Sequence, residues 1–238
     1  MTRTVVITQS NYLPWRGYFD MLRSADEVIL LDSVQFTRRD WRNRNRIKTA
    51  SGPVWLTVPV EVKGRYHQAI DETRISDPDW ASAHRRSIEL AYRRAPFQAE
   101  IGPWLDDLLA SVAGEPMLSA INRTLLRAIC AKLGLAIPFR NCTDLLPREA
   151  MQAMDPTERL VRLAEAAGAT RYLSGPAAKA YLDPAPFTAL GIEVAWMSYA
   201  GYPDYPQLWG EFEPAVSVVD LLFNTGAEAP RFLDRAAA

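Results

Sequence analysis

The sequence is poor in cysteine and histidine, which excludes several kinds of site. There are 2 cysteines and 2 histidines among 238 residues. Cys130 and Cys142 lack the spacing of metal ligands, and we expect no disulfide between them in a cytosolic chain. The P-loop, the GxGxxG fingerprint and the nucleophile elbow are also absent. We therefore expect neither a metal ion nor a bound cofactor.

The chain also lacks a long apolar run and a recognisable signal peptide. No stretch approaches the roughly 20 apolar residues that span a bilayer, and Arg3 is the one basic side chain before a short apolar run. Hydrophobic residues make up 48% and charged residues 23% of the chain, as in globular domains. We expect a cytoplasmic protein without membrane insertion, and the oligomeric state is left open.

Positive charge is concentrated in one short segment. Residues 38–48 contain six basic side chains and one acid, a local charge of +5. Because the net charge is −1, the rest of the chain sums to −6. The segment predicts an anionic partner, whereas the overall charge argues against a general nucleic-acid-binding protein.

Apolar runs and turn residues alternate in the way that is typical of an α/β fold. The runs TVVIT and EVILL, separated by a turn and a helix, predict a βαβ unit with parallel strands. VWLTVPVEV and residues 70–75 predict antiparallel additions to that sheet. IPFRNC, RYLS and IEVAWMSY predict further strands. We expect a parallel, Rossmann-like sheet core with antiparallel additions.

Helical spacing of apolar residues covers roughly residues 79–134. We expect these helices to form an insert or cap within a single domain of residues 1–238. Helices are also predicted for DPTERLVRLAEAAGA, capped by Asp155 and ended by Gly168, for GPAAKAYL, and for PAVSVVDLLFNTG, which ends at Gly226. The last helix carries a polar stripe that we expect to face water, formed by Ser217, Asp220 and Asn224.

A polar and aromatic segment, QSNYLPWRGYF, follows the first strand. The carboxyl ends of neighbouring parallel strands form the ligand crevice of such folds. The residues predicted to bind substrate here are Gln9, Asn11, Tyr12, Trp15 and Tyr18. The alternative is an aromatic helix start that only packs in the core. Trp15-Arg16-Gly17-Tyr18 stands where HIGH-class nucleotidylyltransferases carry His-x-Gly-His, so we expect no adenylyl transfer without those imidazoles.

The basic segment follows the second strand and reads LDSVQFTRRDWRNRNRIKT. Guanidinium groups bind phosphate and carboxylate through paired hydrogen bonds, although a solvated charged loop is the alternative. In an extended chain, Arg42, Arg44 and Arg46 share one face, opposite Trp41, Asn43 and Asn45. Only one of these faces can meet a ligand. The predicted substrate-binding residues are Gln35, Arg38, Trp41, Arg42, Asn43, Arg44 and Asn45.

Two side chains are candidates for a general base. Asp32 follows the second strand and enters the predicted crevice. His84 lies on an apolar helix face with Trp80, where a structural role is the alternative, but imidazole suits proton transfer near neutral pH. Ser174 and Gly175, at a strand-to-helix turn, complete the predicted substrate-binding set because a helix N-terminus can bind an anion; an ordinary cap is the alternative.

Five segments together resemble the WbqC-like family of bacterial proteins: ITQSNYLPWRGYF, DSVQFTRRDWRNRNRIKT, WLTVPV, YLSGPAAKAYL and SVVDLLFNTG. The resemblance covers nearly the whole chain, and its most specific part is Trp-Arg-Asn-Arg-Asn-Arg. The usual QPxYLPW start of the family differs here, since Ser10 replaces the proline. The resemblance implies a cytoplasmic enzyme of O-antigen or other surface-glycan biosynthesis that transfers a glycyl or other small acyl group.

The leading hypothesis is therefore a transferase that moves an acyl group, such as aminoacyl or glycyl, from a phosphate-bearing donor to a sugar or amine. Direct transfer is favoured because no serine or cysteine nucleophile is marked. The first alternative is a module that binds single-stranded RNA or a tRNA end, and an aminoacyl-tRNA donor would reconcile the two. The second alternative is a non-catalytic scaffold for glycan enzymes.

Overall fold

The computed structural model describes residues 2–235, and these fall into two compact units. The first unit comprises residues 2–9, 20–34 and 136–200, and the second comprises residues 10–19, 35–135 and 201–235. The predicted organisation as a single domain with a helical insert stays a prediction. Within the described residues, no helix is both long enough and apolar enough to cross a bilayer.

Strands and helices alternate along most of the described chain. In chain order the elements are β1 Thr4–Thr8, α1 Arg16–Arg23, β2 Glu27–Leu30, β3 Arg44–Thr49, β4 Gly52–Thr57, α2 Trp80–Tyr92, α3 Gln98–Val112, α4 Leu118–Lys132, β5 Phe139–Asn141, α5 Arg148–Ala153, α6 Pro156–Ala166, β6 Arg171–Ser174, α7 Ala185–Ala189, β7 Glu193–Trp196 and α8 Val218–Thr225. Helix α1 passes from the second unit into the first.

The first unit contains a five-stranded parallel sheet with the order β5-β2-β1-β6-β7. Strands β1 and β2 are apolar almost throughout and are buried, as expected when helices cover both faces of a sheet. Helix α6 packs its apolar face into this core through Leu160, Val161 and Leu163. Cys142 belongs to the same core, and it and Cys130 are both free thiols. The predicted α/β fold is confirmed.

The second unit combines a two-stranded antiparallel sheet, β3 with β4, and the helices α2, α3, α4 and α8. The helical content predicted for residues 79–134 is confirmed by α2, α3 and α4. The apolar face of α2 is buried, including Trp80 and Ile88. The antiparallel strands form a sheet of their own, so the expectation that they extend the parallel sheet is wrong.

Two segments differ from their predicted secondary structure. Residues 70–72 form a single 3-10 turn rather than a strand, and Thr73 Oγ donates to the Ala69 carbonyl at 2.8 Å. Polar side chains that bond the nearby backbone compete with strand pairing in this way. The GPAAKAYL segment forms the 3-10 helix Pro176–Ala180 instead of an α-helix.

The polar stripe of α8 faces the interior of the second unit and not water. Asp220 is 1% exposed and accepts hydrogen bonds from Tyr92 at 2.9 Å and Tyr205 at 2.8 Å. Ser217 caps the helix by accepting from the Val219 amide. The expectation of a solvated stripe is wrong because distant segments supply buried hydrogen-bond partners that the helix sequence does not show.

We expect Asp155→Ala to lower the free energy of unfolding by about 1 kcal/mol, the usual contribution of an N-cap. The Asp155 carboxylate accepts from the amides of Thr157 at 2.8 Å and Glu158 at 3.0 Å, and the variant leaves both donors without it. Urea denaturation measures the change. Asp107→Ala, at an exposed position inside α3, is the control. An equal loss in both variants would contradict the capping role.

Candidate functional site

The basic segment forms one strand of an antiparallel hairpin, here called the arginine hairpin (residues 38–57). Strands β3 and β4 pair with Arg46 opposite Trp55. Side chains alternate along β3, so that Asn45 is buried while Arg44 lies beside the Trp55 ring on the other face. The predicted separation of arginines from asparagines is confirmed for these strand residues.

Two tryptophans and an arginine form an exposed aromatic surface on the arginine hairpin. The Trp41 and Trp55 ring centroids are 5.5 Å apart with planes tilted by 38°, and these residues are 42% and 45% exposed. The guanidinium carbon of Arg44 lies 4.1 Å from the Trp55 ring centroid, within cation–π range. Trp41 precedes β3, so strand alternation does not govern it. The expectation that Trp41 shares a face with Asn43 and Asn45 is wrong.

Main-chain carbonyl oxygens orient several of the guanidinium groups. Arg38 donates to the Val62 carbonyl at 2.8 Å, and Arg44 donates to the Arg39 carbonyl. Arg46 donates twice to one carbonyl, that of Ala215, at 2.8 and 3.1 Å. A carbonyl is a neutral acceptor, so these bonds fix the arginines without removing their charge.

Carboxylates compensate only part of the positive charge. Asp40 lies 3.6 Å from Arg42, and Glu213 lies 3.8 Å from Arg46. Among residues 2–235, no carboxylate comes within 4.0 Å of the guanidinium groups of Arg38, Arg39 and Arg44. The exposed side of the arginine hairpin therefore keeps a net positive charge that can attract an anion.

Asp40 fixes the turn that leads into β3. Its carboxylate accepts from Thr37 Oγ at 2.6 Å and from the Trp41 amide at 2.7 Å. Burial alone would raise the pKa of Asp40, but the Thr37 hydrogen bond, the Arg42 charge and the Trp41 amide together hold it below its usual value. Asp40 is therefore ionised at neutral pH and positions Trp41.

The opening segment, residues 10–19, lies against the arginine hairpin. The Tyr12 amide donates to the Trp41 carbonyl at 3.0 Å, and Arg42 donates to Asn11 Oδ1. The structure thus brings together four of the residues that the sequence predicts for substrate binding. Binding of a substrate by them stays a prediction.

The two asparagines of the basic segment are buried and bond the main chain. Asn43 Nδ2 donates to the Val58 carbonyl at 2.8 Å, and Asn45 Nδ2 donates to the Tyr12 carbonyl at 3.3 Å. These bonds join the arginine hairpin to Val58, just after β4, and to the opening segment. The geometry gives both asparagines an anchoring role, and their predicted contact with substrate stays a prediction.

His84 is buried and uses both ring nitrogens. Its Nε2 lies 3.1 Å from the Thr57 carbonyl oxygen, and its Nδ1 lies 2.7 Å from Tyr12 Oη. Because a carbonyl can only accept, Nε2 carries the proton, and Nδ1 of the neutral ring accepts from Tyr12. Burial lowers the pKa of His84 to about 4. This geometry favours an anchoring role, and the role as general base stays a prediction.

Trp15 and Tyr18 make packing contacts within the opening segment and its surroundings. The Trp15 ring meets Tyr202 edge-on at 6.1 Å. Trp15 also covers Gly17, where a Cβ atom would lie 2.4 Å from the indole. Tyr18 is 4% exposed and packs edge-on against Phe19. Their predicted contact with substrate is not tested by this packing.

Four of the predicted residues lie at the carboxyl ends of the parallel strands in the first unit. Gln9 follows β1, Asp32 follows β2, and Ser174 and Gly175 end β6, and these three strands are neighbours. Asp32 and Ser174 are buried, and Ser174 accepts from Tyr172 Oη at 3.2 Å. The predicted site residues therefore divide between the two units. One common crevice stays a prediction.

Gln35 and Arg38 line a small pocket in the second unit, of about 210 Å³. Arg65 and Tyr66, which the sequence did not single out, contribute to the same wall. Among the described residues, no group of three or more His, Cys, Asp and Glu side chains is placed to hold a metal ion.

A sequence model of the WbqC-like protein family matches residues 9–232, a range that contains the opening segment and the arginine hairpin. The chain belongs to the WbqC-like protein family. It is also 52% identical over 231 residues to the uncharacterized protein Rv1507c of Mycobacterium tuberculosis (strain ATCC 25618 / H37Rv), with 97% of each chain covered. No solved structure matches it. The family resemblance of the sequence is confirmed.

A buried polar network, not predicted from the WbqC-like sequence, supports the arginine hairpin from within. Lys48 of β3 donates to Gln207 Oε1 at 2.7 Å, and its amide donates to Tyr92 Oη at 3.1 Å. Gln207 Nε2 and Tyr205 Oη both donate to Asp220. Burial raises the pKa of Asp220, against the hydrogen bonds of these partners. No local motif marks this network, because its members come from distant segments.

We expect the stability of this WbqC-like protein to fall as the pH drops from about 6.5 to about 4, in part because of His84. The pKa of His84 in the fold, about 4, lies below its usual 6.5. Between these two pH values, His84 binds a proton in the unfolded chain but not in the folded protein, so acid favours unfolding. The stabilisation that depends on neutral His84 is fully present above this range. The difference between the two pKa values of His84 corresponds to on the order of 3 kcal/mol of the free energy of unfolding.

Urea unfolding between pH 4.5 and 7 tests this expectation with His84→Gln as the comparison. An amide can bond the same two partners but does not titrate, so the variant should lose less stability on acidification than the unmodified protein. Carboxylates titrate in both proteins, so the difference in pH dependence between the two comes from His84. Equal pH dependence in the two would contradict the buried neutral imidazole.

Proposed function

We propose that this WbqC-like protein is a transferase that binds a phosphate-bearing donor on the arginine hairpin. It would move a small acyl group, with glycyl and other aminoacyl groups as leading cases, to a sugar or amine acceptor. One observation supports the binding of the donor. Trp41 and Trp55 are exposed beside arginines whose guanidinium groups are oriented by neutral carbonyl oxygens. The transfer half rests on the surface-glycan role that the family resemblance implies.

The charge of the arginine hairpin supports the phosphate-binding part. Arg38, Arg39 and Arg44 lack a carboxylate within 4.0 Å in the described chain, so their charge is available to a ligand. Hydrogen bonds to a charged group contribute about 1.5–3 kcal/mol each. Planar guanidinium groups match phosphate oxygens in pairs. Two such contacts would give a phosphate group a defined position on the hairpin.

The exposed indoles support a donor that also carries a flat group. Trp41 and Trp55 keep more than two fifths of their surface exposed, although large aromatic side chains are usually buried in a core. Stacking of one base on an aromatic side chain contributes roughly 1–3 kcal/mol. A nucleotide-linked sugar or an aminoacyl donor with a nucleotide part combines the phosphate and the flat ring that this surface suits.

The proposed reaction is a direct transfer. The acceptor amine or hydroxyl attacks the acyl carbon, and the bond from that carbon to the donor breaks with its electron pair. The proton of the acceptor passes to a base. Both ring nitrogens of His84 are already hydrogen-bonded, and His84 and Asp32 stay the two predicted candidates for this base. We propose that this chemistry serves surface-glycan biosynthesis in the cytoplasm.

A second candidate function is binding of single-stranded RNA or a tRNA end. The tryptophan pair and the neighbouring guanidinium groups also suit successive bases and their phosphates. The net charge of −1 argues against a long nucleic-acid footprint. An aminoacyl-tRNA donor needs only its end on this surface, so it satisfies both candidates.

We expect Arg39→Gln and Trp55→Ala each to weaken binding of a nucleotide probe at least tenfold. Titration calorimetry with ATP and UDP-glucose measures the affinity. Each variant removes a contact of roughly 1.5 kcal/mol or more, from an exposed residue whose loss should leave the melting temperature nearly unchanged. Arg231→Gln is the control, because it removes the same charge as Arg39→Gln from an exposed arginine that pairs with Glu228.

Unchanged affinity in both hairpin variants, or an equal loss in Arg231→Gln, would contradict the proposed site. Tighter binding of a single-stranded oligonucleotide than of either nucleotide, with a steep dependence on salt, would favour the RNA-binding function instead. Release of pyrophosphate from ATP would contradict the expectation that no adenylyl transfer occurs.

A further inference from the structure

The small pocket of the second unit shares Arg38 with the proposed donor site and adds Arg65 and Tyr66, which that site does not use. Its volume is about 210 Å³, and its wall includes Gln35, Arg38, Val62, Arg65, Tyr66 and Gln68. Sites for drug-sized ligands enclose roughly 300–1,000 Å³. The pocket is therefore suited to a molecule about the size of a single sugar.

Gln68 forms a fixed part of the pocket wall. The residue is 9% exposed, and its Nε2 donates to the Glu61 carbonyl at 2.6 Å, which fixes the orientation of the amide. Within residues 2–235, no group donates to Gln68 Oε1. This oxygen exposes less than 1 Å² of surface, so contacts with a ligand come from the other groups of the wall.

Arg38 and Arg65 make one side of the pocket positive. The Arg38 guanidinium is oriented by the Val62 carbonyl. Arg65 pairs with Glu61 at 3.0 Å, but its side chain is 49% exposed, so this pair is weak and open to exchange. No aspartate or glutamate belongs to the pocket wall. The wall therefore favours an anion, and it offers no carboxylate to an ammonium group.

Tyr66 adds an open aromatic ring beside these polar groups. It is 73% exposed, and its ring meets His67 edge-on at 5.0 Å. Gln35 Nε2 donates to the Tyr66 carbonyl at 2.9 Å, which holds this part of the loop in place. An aromatic face packs well against the C–H face of a sugar ring.

We propose that this pocket binds an anionic sugar. The phosphate or carboxylate lies on Arg38 and Arg65, and the sugar ring packs against Tyr66. The bound sugar would be the acceptor of the transfer, and this assignment rests on the proposed function. Binding itself is a separate claim and is measured without a donor.

The test is titration calorimetry of the full chain with glucose 6-phosphate, glucuronate, glucose and inorganic phosphate, in the absence of nucleotide. At least one anionic sugar should bind tenfold tighter than glucose and tenfold tighter than inorganic phosphate. Comparison of glucose 6-phosphate with glucuronate identifies the preferred anion. Arg65→Gln and Tyr66→Ala should each weaken that binding at least fivefold, while Trp55→Ala should not change it. Arg162→Gln is the control, because its side chain is 48% exposed beside Glu165.

Arg65 and Tyr66 are both exposed, so their variants should keep the melting temperature of the unmodified protein. Loss of sugar binding in Trp55→Ala with full binding in Arg65→Gln would overturn the pocket and leave the donor site standing. Equal affinity for glucose and the anionic sugars, or no binding of any, would also overturn it. Sugar binding without nucleotide binding would refute the proposed function alone.

Discussion

The hydrogen bonds from guanidinium groups to main-chain carbonyl oxygens fix the cations of the arginine hairpin without cancelling their charge. A carboxylate would contribute a full negative charge, whereas a carbonyl contributes only a dipole. Arg44 bonds the carbonyl of Arg39, whose φ of 59° lies in the left-handed region that few non-glycine residues adopt. Such conformations persist where surrounding structure enforces them, and they concentrate at functional sites. The positive, exposed surface on which both proposals depend follows from these bonds.

The arginine hairpin depends on a buried polar network at the Lys48 end of β3. Lys48 and Asp220 are charged groups that are 4% and 1% exposed, and burial of such groups is costly unless they are hydrogen-bonded. Tyr92, Tyr205 and Gln207 supply those bonds. The buried network thus lies toward the Lys48 end of β3, and the exposed Arg44 and Trp55 lie toward its other end.

Periodicity predicted the parts of the fold in which neighbours in sequence determine the structure. The apolar strands, the Asp155 cap and the alternation of Arg44 with Asn45 follow local patterns. Contacts between distant segments decided the rest. Strand alternation failed at Trp41 because the turn before β3 sets its direction, and Trp55 was missed because the pairing with β4 is not visible in the basic segment. The buried role of Asp220 likewise depends on partners far away in the chain.

A crystal structure of the protein grown with a phosphate-bearing nucleotide would test most directly whether the arginine hairpin binds a donor. We expect phosphate oxygens within hydrogen-bond distance of at least two of the guanidinium groups of Arg38, Arg39 and Arg44, with the base or sugar ring against Trp41 or Trp55. Nucleotide density elsewhere on the chain, with the arginine hairpin contacting only solvent, would contradict it.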